Sequence, residues 1–273
     1  MSKPDSNQLP ALFLSTVSKE YAPKDVSTSL RVENESEKIR QMLLGKQKSM
    51  QKTIGTAGFS CLMCGKCCER AEDDNSVYIL PAEIEKIESK GFSRSDFILP
   101  LLPDFYNDSN DISSSFQYST FTETLRALSE QIDEHGRIHT FGWMLQRKED
   151  GSCIFLSESK KCLIYDIRPA LCHTYPFFAD ENGVSKCECE GLESVSRTEP
   201  DLTNELTKAL QNRVVADQAD YIQTSAGIKE YYEQFTFNSE CGIAIFEENL
   251  KKNVVSFVVY DGTGVYAAEI QLK

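Results

Sequence analysis

Cys61-Leu62-Met63-Cys64-Gly65-Lys66-Cys67-Cys68 places four thiols within eight residues, and its reading decides what kind of fold to expect. A C-x-x-C step lets the chain turn so that both sulfurs face one centre. Repeating the x-x spacing presents three sulfurs around a cluster, as ferredoxin-type loops do. Gly65 permits the tight turn this requires. Crowded thiolates repel one another, and a metal cation both neutralises them and lowers their pKa values, so the loop is expected to need a metal. Side chains of adjacent residues usually diverge. Cys67 and Cys68 are therefore expected to serve different ions, or one of them to be a spare or bridging ligand.

A second group lies downstream: Cys153-Ile154-Phe155-Leu156, then Cys162-Leu163-Ile164-Tyr165-Asp166-Ile167-Arg168-Pro169-Ala170-Leu171-Cys172-His173-Thr174-Tyr175-Pro176, then Cys187-Glu188-Cys189-Glu190-Gly191. With Phe59-Ser60-Cys61 ahead of them, these motifs in this order resemble the YkgJ-type cysteine-cluster family, whose domain is described as chelating zinc or iron. The resemblance spans residues 58–192. It implies eight ligand thiols: Cys61, Cys64, Cys67, Cys68, Cys153, Cys162, Cys172 and Cys189. Two departures bear on ligation. Cys187 adds a ninth thiol, kept here among the candidate ligands, and His173 stands where family members often carry arginine.

Eight thiols suit two four-thiolate sites, filled by zinc, by iron–sulfur clusters or by one of each. The three cysteines at x-x spacing tilt the expectation toward a 4Fe-4S cluster over zinc. Flagellin lysine methylases carry a similar cysteine cluster. By that resemblance the alternative to a metal-binding module of structural, redox or metal-handling role is a cluster-dependent protein-modifying enzyme, an analogy at the level of the fold alone. Whether the chain is an enzyme stays open.

The rest of the composition narrows the setting. A chain of 273 residues, 40% hydrophobic and 26% charged, can bury an ordinary core,. Its net charge of −13 opposes binding to nucleic acid and leaves an acidic surface open to a protein partner. No export signal is visible at the start, and no apolar run approaches a membrane span. The expected setting is cytoplasmic, where ten cysteines argue for metal rather than disulfides.

Patterning predicts an α+β chain: a small cysteine-rich domain of short helices and hairpins, followed by a C-terminal helix and β hairpin. Residues 1–50 read as a mobile leader and a short helix over 34–44 ended by Gly45. Residues 51–195 form the cysteine domain. Within it, 77–80 suits a strand, Pro81 opens a helix whose Ile84 and Ile87 share a face, and 93–118 reads as irregular. Thr120-Phe121-Thr122-Glu123 fits a capping box opening a helix with Phe121, Leu125, Leu128 and Ile132 on one face. Asp150-Gly151 marks a hairpin turn before Cys153, and a second turn at 181–183 delivers Cys187 and Cys189. Residues 196–273 supply a long helix carrying Leu202, Leu206, Leu210 and Val214, then a hairpin of 254–260 with 265–272. This tail, outside the resemblance, is the other candidate partner surface.

Among the remaining residues, Arg168 reads as structural, with a pairing to the thiolate centre as its functional role. Tyr165 and Tyr175 read as walls of the site. His173 is expected beside the site or at the surface, His135 and His139 are not expected to be ligands, and Cys241 reads as a small buried residue.

Overall fold

The computed structural model describes residues 12–21, 26–69, 77–101, 129–179 and 183–272. The chain is α+β. Its largest sheet has the order β1-β9-β8-β4, built from Leu12–Tyr21 (β1), Gly264–Leu272 (β9), Val254–Asp261 (β8) and Ile138–Phe141 (β4). β8 and β9 form the terminal hairpin that the two β-prone runs predict, β1 pairs antiparallel with β9, and β4 lies parallel to β8. β8 is central, which accounts for the burial of Val255, Phe257, Val258, Val259, Tyr260 and Asp261 on both faces,.

A second sheet of three short strands has the order β2-β5-β3: Tyr78–Ile79 (β2), Trp143–Leu145 (β5) and Ile98–Pro100 (β3). Trp143 is fully buried and donates its indole N–H to Asp261 Oδ2 at 2.8 Å, tying this sheet to β8. Helix α2, Pro81–Glu88, follows β2 directly, starts at proline and buries Ile84 and Ile87 as its periodicity requires,. A ribbon of Phe177–Ala179 (β6) with Val184–Lys186 (β7) completes the strands among the described residues. Its pairing matches the predicted second hairpin, whose tip lies outside the described residues. The predicted helix opened by the capping box falls outside them up to residue 128; its described end is a 3-10 turn, Ser129–Gln131, followed by Ile132, which bridges to Ile138.

The N-terminal expectations need correcting. Residues 12–21 are a strand, and the short helix expected over 34–44 is instead α1, Val26–Thr56, which runs straight through Gly45. A β-carbon at Gly45 would meet nothing within 4 Å, so the glycine lies on an open face. It costs the helix roughly 1 kcal/mol of propensity. Burial of Met50, Ile54 and Ala57 with Leu206 and Leu210 of helix α4, Pro200–Gly227, offsets that cost,. The Gln51 amide donates to Asn204 Oδ1 at 2.8 Å and the Gln211 amide to the Leu43 carbonyl at 3.2 Å across the same contact. Local propensity around Gly45 points to a stop; the tertiary partner overrides it.

Two apolar clusters matter for the site. One lies between the sheets and α2 and takes in Ile79, Phe97, Trp143, Phe155, Ile164 and Phe257. The other joins α1 and α4 with Phe59 and Phe177. The cysteine-bearing loops run between them.

Candidate metal centre

The first cysteine loop leaves the end of α1 through Gly58, and its path is set by the third loop, since Ser60 N–H donates to the Gly191 carbonyl at 3.0 Å. Met63 and Gly65 adopt positive φ, 49° and 78°, turning the chain sharply between Cys61 and Cys67,. A β-carbon on Gly65 would approach the Lys160 carbonyl to 2.7 Å, so only glycine fits there. The loop closes on Lys66–Cys68, one turn of 3-10 helix.

The second group meets the first through the backbone. Cys153 N–H donates to the Cys68 carbonyl at 2.7 Å, immediately after the Asp150-Gly151 turn, where Gly151 has φ 81°. Cys162 follows a further turn and bridges to Leu156. Cys172 sits on α3, Ala170–Thr174, a single helical turn behind Pro169. That turn is anchored by Glu83 of α2, one carboxylate oxygen accepting from Ala170 N–H at 2.6 Å while the other accepts from Leu80 N–H at 2.9 Å. Sequence reading missed Glu83; its place three residues past a helix start signals the cap, but nothing local signals the second bond.

The structure thereby gathers thiols from three stretches of chain. Cys67 Sγ and Cys68 Sγ are 3.9 Å apart, so this adjacent pair does not diverge as neighbouring side chains usually do. Cys68 lies within electrostatic reach of Cys67, Cys153 and Cys172, and Cys172 within reach of Cys153, Cys67 and Cys162. Cys189 interacts with Cys64, Cys67 and Cys61. Cys187 stands apart: its N–H and its thiol both point to the Pro176 carbonyl, at 3.0 Å and 3.3 Å. All ten cysteines are free thiols, and Cys241 on α5, Glu240–Lys251, is exposed rather than buried as expected. Among the described residues no three His, Cys, Asp or Glu side chains stand in a finished ligand arrangement, so the sulfurs are gathered without being closed on a point.

Burial pushes the thiols of Cys153, Cys162, Cys172 and Cys189 up, with neighbouring sulfurs adding to the effect. Cys67 is the exception, held at about 7 by the hydrogen bond from Cys68, while that bond and burial raise Cys68. A cation among them would reverse this order, since it favours every thiolate at once. Three sulfurs are already prepared as anion acceptors. Cys153, Cys162 and Cys189 each receive a backbone N–H from the residue two places on, Phe155, Ile164 and Gly191, the last at 3.4 Å. Such donors stabilise sulfur that carries charge.

The surroundings supply charge and cover rather than competing ligands. The Arg168 guanidinium lies 3.8 Å over the Tyr165 ring, donates to the Tyr165 carbonyl at 2.9 Å, and favours the charged forms of Cys67 and Cys162. Tyr175, raised to about 12 by burial and nearby sulfurs, donates its hydroxyl to the Glu188 carbonyl. His173 Nε2 is engaged by Glu205 of α4 at 2.7 Å, at the edge of the thiol group. Lys66 and Glu190 pair across the mouth.

His139, on β4, is far from surface chemistry. It is 3% exposed, with Nε2 3.1 Å from Asp133 Oδ2 and Nδ1 2.6 Å from the Tyr260 hydroxyl, ringed by Tyr232, Phe235 and Phe237. No sequence pattern flagged this network, because Tyr260 joins Asp133 and His139 only through the β4–β8 pairing.

A cysteine-rich domain set in an α+β frame is the class these features define. Residues 60–190 match the family model CxxCxxCC, described as "Putative zinc- or iron-chelating domain". Searches of curated proteins and of solved structures found no match. No helix among the described residues is long and apolar enough to cross a membrane.

Proposed function

We propose that this chain is a metal-binding protein that holds its metal through thiolates of the CxxCxxCC segment, with iron in an iron–sulfur cluster as the resident group. The observation that carries the reading is the gathering of Cys61, Cys64, Cys67, Cys68, Cys153, Cys162, Cys172 and Cys189 from three separate stretches, all sulfur, with no disulfide among them. A sulfur-only donor set suits iron–sulfur clusters and four-thiolate zinc and excludes hard cations, which take oxygen. The fit is supported by the N–H groups aimed at Cys153, Cys162 and Cys189, which offset thiolate charge as they do around thiolate-bound metal,. The three cysteines of the first loop at x-x spacing favour a cluster over a single ion. When bound, the cluster supplies one-electron redox capacity or a covalent cross-link between loops; the chain's own residues position the sulfurs and restrict water.

Oxygen-protected purification with elemental and sulfide analysis tests this. Iron with matching acid-labile sulfide and a broad visible band near roughly 400 nm is the expected result. Colourless protein with stoichiometric zinc would retain the thiolate site and reject the cluster. Protein with neither metal would reject the function.

A further inference from the structure

The thiols are not equivalent, and the parts of the fold that hold them divide them. Cys153 and Cys162 pack against the apolar cluster between the sheets. Cys68 is joined to that side by the Cys153 N–H, and Cys172 is fixed there by Glu83 through the start of α3. Cys189 packs instead against the α1–α4 cluster. Cys61 and Cys64 follow the Ser60–Gly191 bond that ties their loop to the Cys189 loop. Exposure agrees in part: Cys61 and Cys67 are exposed, whereas Cys68, Cys153, Cys162 and Cys172 are partly buried, as are Cys64 and Cys189. Leu62 and Met63, between Cys61 and Cys64, are about half exposed, at 53% and 51%.

We infer that the site is two unequal centres, an inner one held by Cys68, Cys153, Cys162 and Cys172 and an outer one held by Cys61, Cys64, Cys67 and Cys189, with Cys187 belonging to neither. This deepens the metal-binding reading above and rests on it. Four sulfurs per centre satisfy a tetrahedral thiolate ion or one cluster each. Cys67 and Cys68, 3.9 Å apart, bring the two centres side by side and explain why Cys67 lies in reach of both sets. Cys187 is excluded because its sulfur is directed to the Pro176 carbonyl. The consequence is a division of labour. The inner centre is anchored on the core and fastens the fold, while the outer one carries the two exposed thiols, Cys61 and Cys67, and is the exchangeable metal.

Cadmium is a suitable probe, because it binds thiolates and gives a sulfur-to-metal ultraviolet band. Metal-free full-length protein titrated anaerobically with Cd²⁺ should take two equivalents. Release to excess chelator should be biphasic with equal amplitudes, the faster phase leading by about tenfold or more, the scale of effect that shielding around a metal commonly exerts. Cys64→Ser and Cys189→Ser should each abolish the fast phase and leave the slow one, and Cys187→Ser should alter neither. Single-phase release of both equivalents from the unsubstituted protein would overturn the division, as would loss of one equivalent on replacing Cys187. A chain that binds no cadmium would instead remove the metal-binding reading itself, whereas one equivalent in total would leave that reading intact and reject the second centre.

Discussion

At the residue scale, the first cysteine loop depends on one glycine as much as on its sulfurs. Gly65 combines φ 78° with a Lys160 carbonyl 2.7 Å from where a β-carbon would stand. Gly65→Ala should cost roughly 1–2 kcal/mol for the left-handed conformation alone, and more for the clash; a lowered Tm together with weaker metal retention would be the readout. The Asp133–His139–Tyr260 network makes a prediction of different sign in pH. Burial works against the Asp133 carboxylate, yet bonds from His139 and Arg137 hold it at about 2, below its ordinary 3.8. Burial also holds His139 below 6.5, with Asp133 opposing only partly. Both groups have depressed folded-state values, so their contribution is present at neutral pH and is lost on acidification. For His139 the loss begins as pH drops below 6.5, because the unfolded chain takes the proton first; for Asp133 it follows between about 4 and 2. The Tm of His139→Gln should therefore fall less steeply than that of the unsubstituted protein between pH 7 and pH 5. Parallel slopes would show that His139 does not carry the effect.

At the element scale, the CxxCxxCC segment is built from turns and single helical turns that cannot stand alone. α3 has five residues, too few to be stable without partners,. Its start is held by Glu83, one residue serving both the cap of α2 and the first free N–H of α3. Glu83→Ala leaves two partly buried N–H groups without acceptors and should cost roughly 1–3 kcal/mol for each group that water does not reach. Because α3 carries Cys172, the same variant should also release the slow metal fraction faster, measured as chelator-dependent loss. The long α1 and α4 make the opposite point. Their pairing carries α1 through Gly45, where local preference alone predicts an end.

At the scale of the whole molecule, the sheet order β1-β9-β8-β4 draws together the first strand, a middle strand and the last two. The terminal hairpin is a structural centre: β8 is flanked on both sides, and Trp143 reaches it from the second sheet. Removing residues 1–22 would strip β1 from β9 and expose an edge whose register covers Val265 to Leu272. Such a truncation is expected to lower Tm and to promote self-association through the bared edge, visible by light scattering. Deleting β8–β9 to isolate the cysteine segment should destroy its fold as well, since the apolar cluster behind Cys153 and Cys162 includes Phe257 and Val259.

Sequence alone determined the parts whose physics is local. Thiol spacing, the Asp150-Gly151 turn, the proline start of α2 and the alternation of the terminal hairpin each follow from a few neighbouring residues, and the structure has the elements in those places. Tertiary structure decided the rest. It turned the leader into β1, carried α1 past Gly45, exposed Cys241, turned Cys187 toward Pro176, and assembled Asp133, His139 and Tyr260. Those outcomes depend on contacts between residues up to two hundred and more positions apart, such as β1 with β9. Such contacts leave no periodic trace in either partner, because each segment's own preference is worth only tenths of a kcal/mol per residue against several for a buried face.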